Sequence, residues 1–333
     1  MKTKTFIQRA ASLVTACLLA GAGAGARGES GTKESRVGFH LDTVITLTAY
    51  VSDAAVLDEA MAECARLEEI LSRTVEGSDV WRINHAEGVP VTVSEETAEV
   101  LACAAQVSEL SGGAFDVTIA PCALLWDFLS AEPALPDAEA LAAAAALTDW
   151  RQMRLEGCEV TLPAGRMIDL GGIAKGYIAD RVKAFLMERG VESAILSFGG
   201  NIVAIGMKPG GKEWKVGIQD IDKPTGEYMM VVRNLGGSTV TSGIYERGFD
   251  LGGVRYHHIL EAATGWPVQN TLASVTILSD SSMMGDALAT AAFALGEEEG
   301  KALIESLPGT EAILIRKDRT AVLTDGADAW VVQ

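Results

Sequence analysis

Ile168-Asp169-Leu170-Gly171-Gly172-Ile173-Ala174-Lys175-Gly176-Tyr177 carries the strongest local signal in the chain. A strand ends at Asp169, two glycines let the backbone turn sharply and approach a neighbour, and a helix begins near Ala174. Free N–H groups at such a helix start bind anions, and Lys175 adds a positive charge in the first turn. The plain alternative is an ordinary strand–helix turn with a solvated lysine. A glycine pair directly ahead of a lysine-bearing turn favours the phosphate reading.

Working outward, the helix from Ala174 runs to Arg189 and is closed by Gly190, with a strand following over Val191–Phe198. Downstream the pattern predicts strands at Ile202–Ile205, Trp214–Gln219, Tyr228–Arg233, Thr239–Thr241, Arg255–Leu260 and Ala273–Leu278. Helices Ser282–Leu295 and Glu297–Leu307 and a hairpin over Ala312–Leu323 complete that half. Upstream, Ile45, Leu47 and Ala49 alternate as a strand, and Leu57, Met61, Cys64, Leu67 and Leu71 recur at helical spacing. A second helix starts at the N-cap Ser94 and stops at Gly112-Gly113. Pro136-Asp137 opens a third, Ala-rich helix, and Met153–Leu162 is a hairpin around Glu156-Gly157. Strand runs with helices between and around them predict an α+β fold. The sheets should be mixed and largely antiparallel with flanking helices, in a single catalytic domain of two lobes.

The first residues read as an export signal. Lys2, Lys4 and Arg9 form a basic region, Ala10–Ala20 is apolar, and Gly21–Ala26 is a run of small residues. Residues 1–26 are therefore expected to be a signal peptide, 27–36 a linker and 37–333 the catalytic domain. Two processing routes are open: cleavage after the small-residue run, or lipidation of Cys17 in the lipobox-like Val14-Thr15-Ala16-Cys17. Cys64, Cys103, Cys122 and Cys158 show no metal-type spacing and are expected to be free thiols. A net charge of −18 argues against nucleic acid as a partner, since phosphate backbones are bound by clustered Lys and Arg. An acidic protein that handles a phosphorylated ligand must neutralise it locally, through a metal or helix N-termini.

Several familiar motifs fail on inspection. Gly206–Lys212 approximates a phosphate-binding P-loop, but Glu213 stands where Ser or Thr must hold Mg²⁺, and a strand follows. No Gly-x-Gly-x-x-Gly opens a helix and no Gly-x-Ser-x-Gly elbow is present. His40, His85, His257 and His258 lack zinc-site spacing.

Three other segments carry chemistry. Gly112–Pro121 leads a helix end through Phe115-Asp116-Val117-Thr118 towards Trp126; taken alone it reads as a helix cap running into a buried strand. Thr241–Arg247, with Tyr256-His257-His258-Ile259, offers a hydroxyl, a cation and a general base. Only one of two adjacent strand histidines can face a given site. Asp286 and Thr290 lie one helical turn apart, a hard-oxygen pair suited to Mg²⁺. Taken alone, that pair reads as a dipole-favoured Asp and a buried Thr bonding back to the helix.

In this order and spacing the segments resemble the ApbE family of FAD:protein FMN transferases over nearly all of the chain beyond the export signal. The resemblance implies Mg²⁺-dependent transfer of FMN from FAD to a Thr or Ser hydroxyl of an acceptor protein, with release of AMP. It further implies that Leu41, Trp81, Ala114, Phe115 and Asp116 line the FAD pocket and that Asp169 and Lys175 contact FAD. Asp286, Thr290 and the Gly172 carbonyl would bind Mg²⁺, and His258 would stand at the reacting phosphate. The implied acceptor is an extracytoplasmic subunit of a redox complex. Glu261-Ala262-Ala263 before Thr264-Gly265, Asn201 after the Gly-Gly pair and Ala289 before Thr290 depart from the family pattern but leave the Asp–Thr pair intact. Hydrolysis of FAD to FMN and AMP, and simple FAD storage, remain open alternatives.

Overall fold

The computed structural model describes residues 31–224 and 226–332; the expected signal peptide and Cys17 lie outside them. The chain opens as a hairpin of β1 (Thr32–His40) and β2 (Thr43–Val51). Helices α1 (Ala55–Leu71) and α2 (Asp79–Asn84) precede β3 (Val91–Thr92), α3 (Glu95–Leu110), α4 (Ala120–Ala123) and α5 (Ala138–Ala145). A small hairpin, β4 (Arg154–Glu156) and β5 (Glu159–Thr161), takes β3 as its third strand. Helix α6 (Ala174–Glu188) leads to β6 (Ala194–Phe198) and β7 (Asn201–Ile205). The hairpin β8 (Trp214–Gln219)–β9 (Tyr228–Asn234), strand β10 (Ser238–Gly243) and the hairpin β11 (Gly248–Leu251)–β12 (Val254–His257) follow. Strand β13 (Leu272–Ser279), helices α7 (Ser282–Leu295) and α8 (Glu297–Glu305), and strands β14 (Glu311–Arg316) and β15 (Ala321–Leu323) end the chain.

Eight strands form one antiparallel sheet in the order β1-β2-β6-β7-β10-β13-β14-β15. Its central strands are buried on both faces because side chains alternate between two cores. Leu196, Val203, Val275, Ile277 and Leu314 join the larger core with α1, α3, α6 and α7. Their neighbours Ile195, Ile202, Leu278, Ile313 and Ile315 meet Trp214, Val216 and Val232 of the β8–β9 hairpin. A satellite cluster gathers around Cys122, Trp126, Leu141 and Phe249, with Phe128, Tyr256 and Trp266 against it. The fold class is α+β, as the strand and helix runs predict.

Three expectations need correction. No strand ends at Asp169: between β5 and α6 the chain runs as irregular backbone into the glycine turn. Thr32–Arg36, read as linker, is the first half of β1 and pairs with Leu47–Val51. An edge strand with one exposed face shows little apolar alternation, and here it is held by its ladder to β2. Phe115–Pro121 is not a buried strand: Asp116 caps a 3-10 turn at Val117–Ile119, and α4 follows at once.

Candidate active site

The glycine turn sits where α6 and α7 meet. A Cβ on Gly176 would lie 2.1 Å from the Ser282 carbonyl oxygen, so only glycine lets the two helices touch there. One turn on, Asp180 caps α7, accepting the Ser282 and Met283 amides at 2.9 Å each and the Ser281 hydroxyl at 2.9 Å. This contact carries Asp286 to the start of α6. Its Oδ2 accepts the Gly176 amide at 3.0 Å, and Oδ1 faces Lys175 Nζ at 3.5 Å. Lys175 also donates to the Gly171 carbonyl at 2.8 Å. Thr290, one turn beyond Asp286, has its hydroxyl 3.4 Å from Ser242 Oγ and 3.5 Å from the Cβ position of Gly172. Asp286, Thr290, Gly172 and Lys175 therefore share one hollow.

Among the described residues no group of three or more His, Cys, Asp or Glu side chains could hold a metal. The hollow instead offers one carboxylate, one hydroxyl and a main-chain carbonyl. Such hard oxygens suit Mg²⁺, which keeps several positions for water or phosphate. The Lys175 ammonium already lies between the Gly171 carbonyl and the Asp286 carboxylate, so the oxygens are disposed around positive charge.

Asp169 is committed within the chain. Its Oδ1 accepts the Gly171 amide at 2.6 Å and its Oδ2 pairs with Arg73 at 2.7 Å. Asn84, the last residue of α2, exchanges two hydrogen bonds with the backbone of Ile168, at 2.7 and 2.9 Å, and so ties α2 to the turn. On that helix the half-buried Trp81 stacks on His85 with ring centroids 4.1 Å apart. It lines an open groove of about 500 Å³ with Val89, Pro90 and Val91. Phe115 is buried, its ring edge 3.2 Å from the Cβ position of Gly172, and Ala114 is half-buried beside it. Asp116 spends its carboxylate on Thr118 and the Trp150 amide, and burial raises its pKa. Leu41 and Asp42 form the two-residue β1–β2 turn with φ of 54° and 55°. That conformation strains a leucine. The Leu41 amide is held by Glu68 at 2.7 Å, and the Asp42 carbonyl accepts Arg247 at 3.2 Å.

The β11–β12 ladder sets the histidines. Gly248 pairs with His257, so Arg247 and His258 form the next rung, and the His258 amide donates to the Arg247 carbonyl at 3.2 Å. His257 points into the core. It is 1% exposed, donates from Nε2 to the Val268 carbonyl at 3.0 Å and meets Phe293 edge-on. His258 faces the other way, towards the hollow. Its Nδ1 sits 3.3 Å from the Arg247 carbonyl, which leaves Nε2 unprotonated and free. Burial, Arg247 and Lys175 hold its pKa down to about 3, so it is neutral at pH 7.

Ser242, the hydroxyl of the Ser-Gly turn, also faces this place, as does Glu246, which was not singled out in the sequence. The only trace was its position inside Thr241–Arg247. Glu246 Oε2 lies 3.9 Å from His258 Nε2, and burial pushes its pKa up to about 7.

Comparison with known proteins places this geometry. The model of the ApbE family matches residues 41–314. An FAD:protein FMN transferase of Klebsiella pneumoniae is 37% identical over 84% of this chain and 88% of its own length. One of Treponema pallidum is 35% identical over 92% and 91%. Among solved structures, the ApbE protein of Thermotoga maritima superposes with a TM-score of 0.83 at 28% identity, covering 91% of this chain and all of that one. The flavin transferase ApbE of Vibrio cholerae gives 0.81 at 28% identity over 90% and 99%. With the family model matched across all the segments that build the hollow, the chain belongs to the ApbE family.

Proposed function

We propose that the chain transfers the FMN half of FAD to a Thr or Ser hydroxyl of an acceptor protein through a phosphoester bond and releases AMP. The observation that carries this reading is the convergence of the Asp286–Thr290 pair, the Lys175-bearing start of α6 and His258 on one hollow. The activity named for the Klebsiella and Treponema relatives supports it. Asp286, Thr290 and the Gly172 carbonyl are the residues to hold Mg²⁺, which when bound neutralises pyrophosphate charge. Lys175 supplies positive charge to phosphate oxygens, since the Ala174, Gly176 and Tyr177 amides at the start of α6 are bonded within the chain. Phe115 and Trp81 offer aromatic walls to the ring systems of FAD, with Ala114 and Leu41 as smaller contacts. Asp169 and Asp116 act by shaping those walls, since their oxygens are bonded within the chain.

His258 Nε2 takes the proton of the attacking hydroxyl. The new oxygen–phosphorus bond forms on the flavin side, and the bond to the AMP phosphate breaks with its electron pair. Water in place of the acceptor gives FMN and AMP, the hydrolytic alternative. The export-like residues 1–26 support a site of action outside the cytoplasmic membrane, with an acceptor in an extracytoplasmic redox complex. The test is incubation with FAD, Mg²⁺ and candidate acceptors, followed by in-gel flavin fluorescence after denaturation. A labelled acceptor supports transfer, AMP without label reassigns the site to hydrolysis, and tight FAD binding without AMP leaves only storage.

A further inference from the structure

We infer that Glu246 is the anionic partner of His258, the group that lets the imidazole receive a proton although two cations stand beside it. This rests on the flavin-transfer reading above. Arg247 and Lys175 both oppose a positive charge on His258. A base so placed needs a compensating carboxylate. Asp286 is committed to the Gly176 amide on the far side of Lys175, whereas Glu246 Oε2 lies 3.9 Å from the free Nε2.

That separation is too long for a direct hydrogen bond. It leaves room for one oxygen beside both atoms, the place a nucleophile must occupy; an acceptor hydroxyl there donates its single proton to Nε2. The Gly199-Gly200 turn leaves room for the carboxylate, whose Oε1 is 3.6 Å from the Cβ position of Gly200. The charged groups facing Glu246 are Lys175 from α6, Asp286 from α7, and the adjoining Arg247 and His258. Burial pushes Glu246 up only to about 7, with Lys175 and Arg247 opposing the rise, so at and above pH 7 its carboxylate is available as an anion to a protonated His258.

In the step, the hydroxyl proton passes to Nε2 as the oxygen bonds to the flavin-side phosphorus and the AMP phosphate departs with the electron pair. The imidazolium is held against Glu246, and the proton leaves to solvent when the products do. Glu246 is thus a positioning residue that acts through His258.

The experiment measures AMP release from FAD, Mg²⁺ and the candidate acceptors, with FAD affinity from flavin fluorescence and the thermal midpoint for each variant. Glu246→Gln should lower turnover on the order of 10²-fold, with FAD affinity and midpoint unchanged. Glu246→Asp, which keeps the charge, should regain part of the rate. Adding Glu246→Gln to His258→Ala should slow the enzyme no further, because the two act as a unit. Parent-like turnover in Glu246→Gln, or losses that multiply in the double variant, overturn this inference while leaving flavin transfer standing. No AMP release by the unaltered chain overturns both.

Discussion

His257 and His258 differ by one position and by everything that surrounds them. His258→Ala should slow transfer on the order of 10²–10⁴-fold with FAD binding kept, read from turnover against an FAD titration. His257→Ala should leave turnover per folded molecule near the parent's but cost about 2–4 kcal/mol. It removes the Val268 bond and opens a cavity against Phe293, and chemical denaturation would measure the loss. The same burial makes His257 an acid-sensitive element. Its folded pKa of about 4 lies below the ordinary 6.5. The stability from its neutral burial is therefore complete above about pH 6.5 and is lost as pH falls towards 4, to a total of roughly 3 kcal/mol. Denaturation midpoints measured across that window should flatten in His257→Leu. Asp286 needs a variant that respects its bond to Gly176. Asp286→Asn keeps an acceptor for that amide and should abolish Mg²⁺-dependent turnover with the midpoint almost unmoved. An active Asp286→Asn enzyme would remove the metal assignment.

Helices α6 and α7 hold the hollow together at one point, and that point can be tested. In Gly176→Ala the new Cβ meets Ser282 backbone, which cannot rotate away, so the helices must part. We expect the thermal midpoint and FAD affinity to fall together, by about 3 kcal/mol or more in stability. Gly190→Ala is the control: its φ of 78° costs about 1 kcal/mol, nothing lies within 4 Å of the new atom, and FAD affinity should not change. Helix periodicity and caps made α1, α3, α5, α6 and α7 legible, since Ser94, Asp137 and Gly190 mark ends that obey local rules. Strand β1 was not legible because its residues are satisfied by a ladder rather than by burial of an apolar stripe. The Asp286–Thr290 pair could be read from helical spacing alone. Glu246 could not, because its approach to His258 depends on the β11–β12 register bringing residues 247 and 258 onto one rung. Likewise, nothing local in Asn84 says that it will bond Ile168.

Beyond the hollow, the chain carries a net charge of −18, and no helix among the described residues is long and apolar enough to cross a membrane. A lipid on Cys17 is the attachment that the sequence offers. If that route is used, Cys17→Ala should move the protein from the membrane fraction to the soluble exported fraction. If cleavage follows the small-residue run, the same variant should fractionate unchanged. Purified native protein that retains residues 1–16 would contradict both routes. The four thiols among the described residues bear on the same journey. Cys64, Cys103, Cys122 and Cys158 are all free, and burial pushes Cys64 up to about 12 and Cys103 up to about 11. Sulfur reacts as the thiolate, so folded enzyme offers oxidants almost nothing at those two positions. Before folding, the same sulfurs ionise near pH ~8.5 and are open to attack. If the chain is delivered into an oxidising compartment, collapse of the core therefore competes with capture of its cysteines.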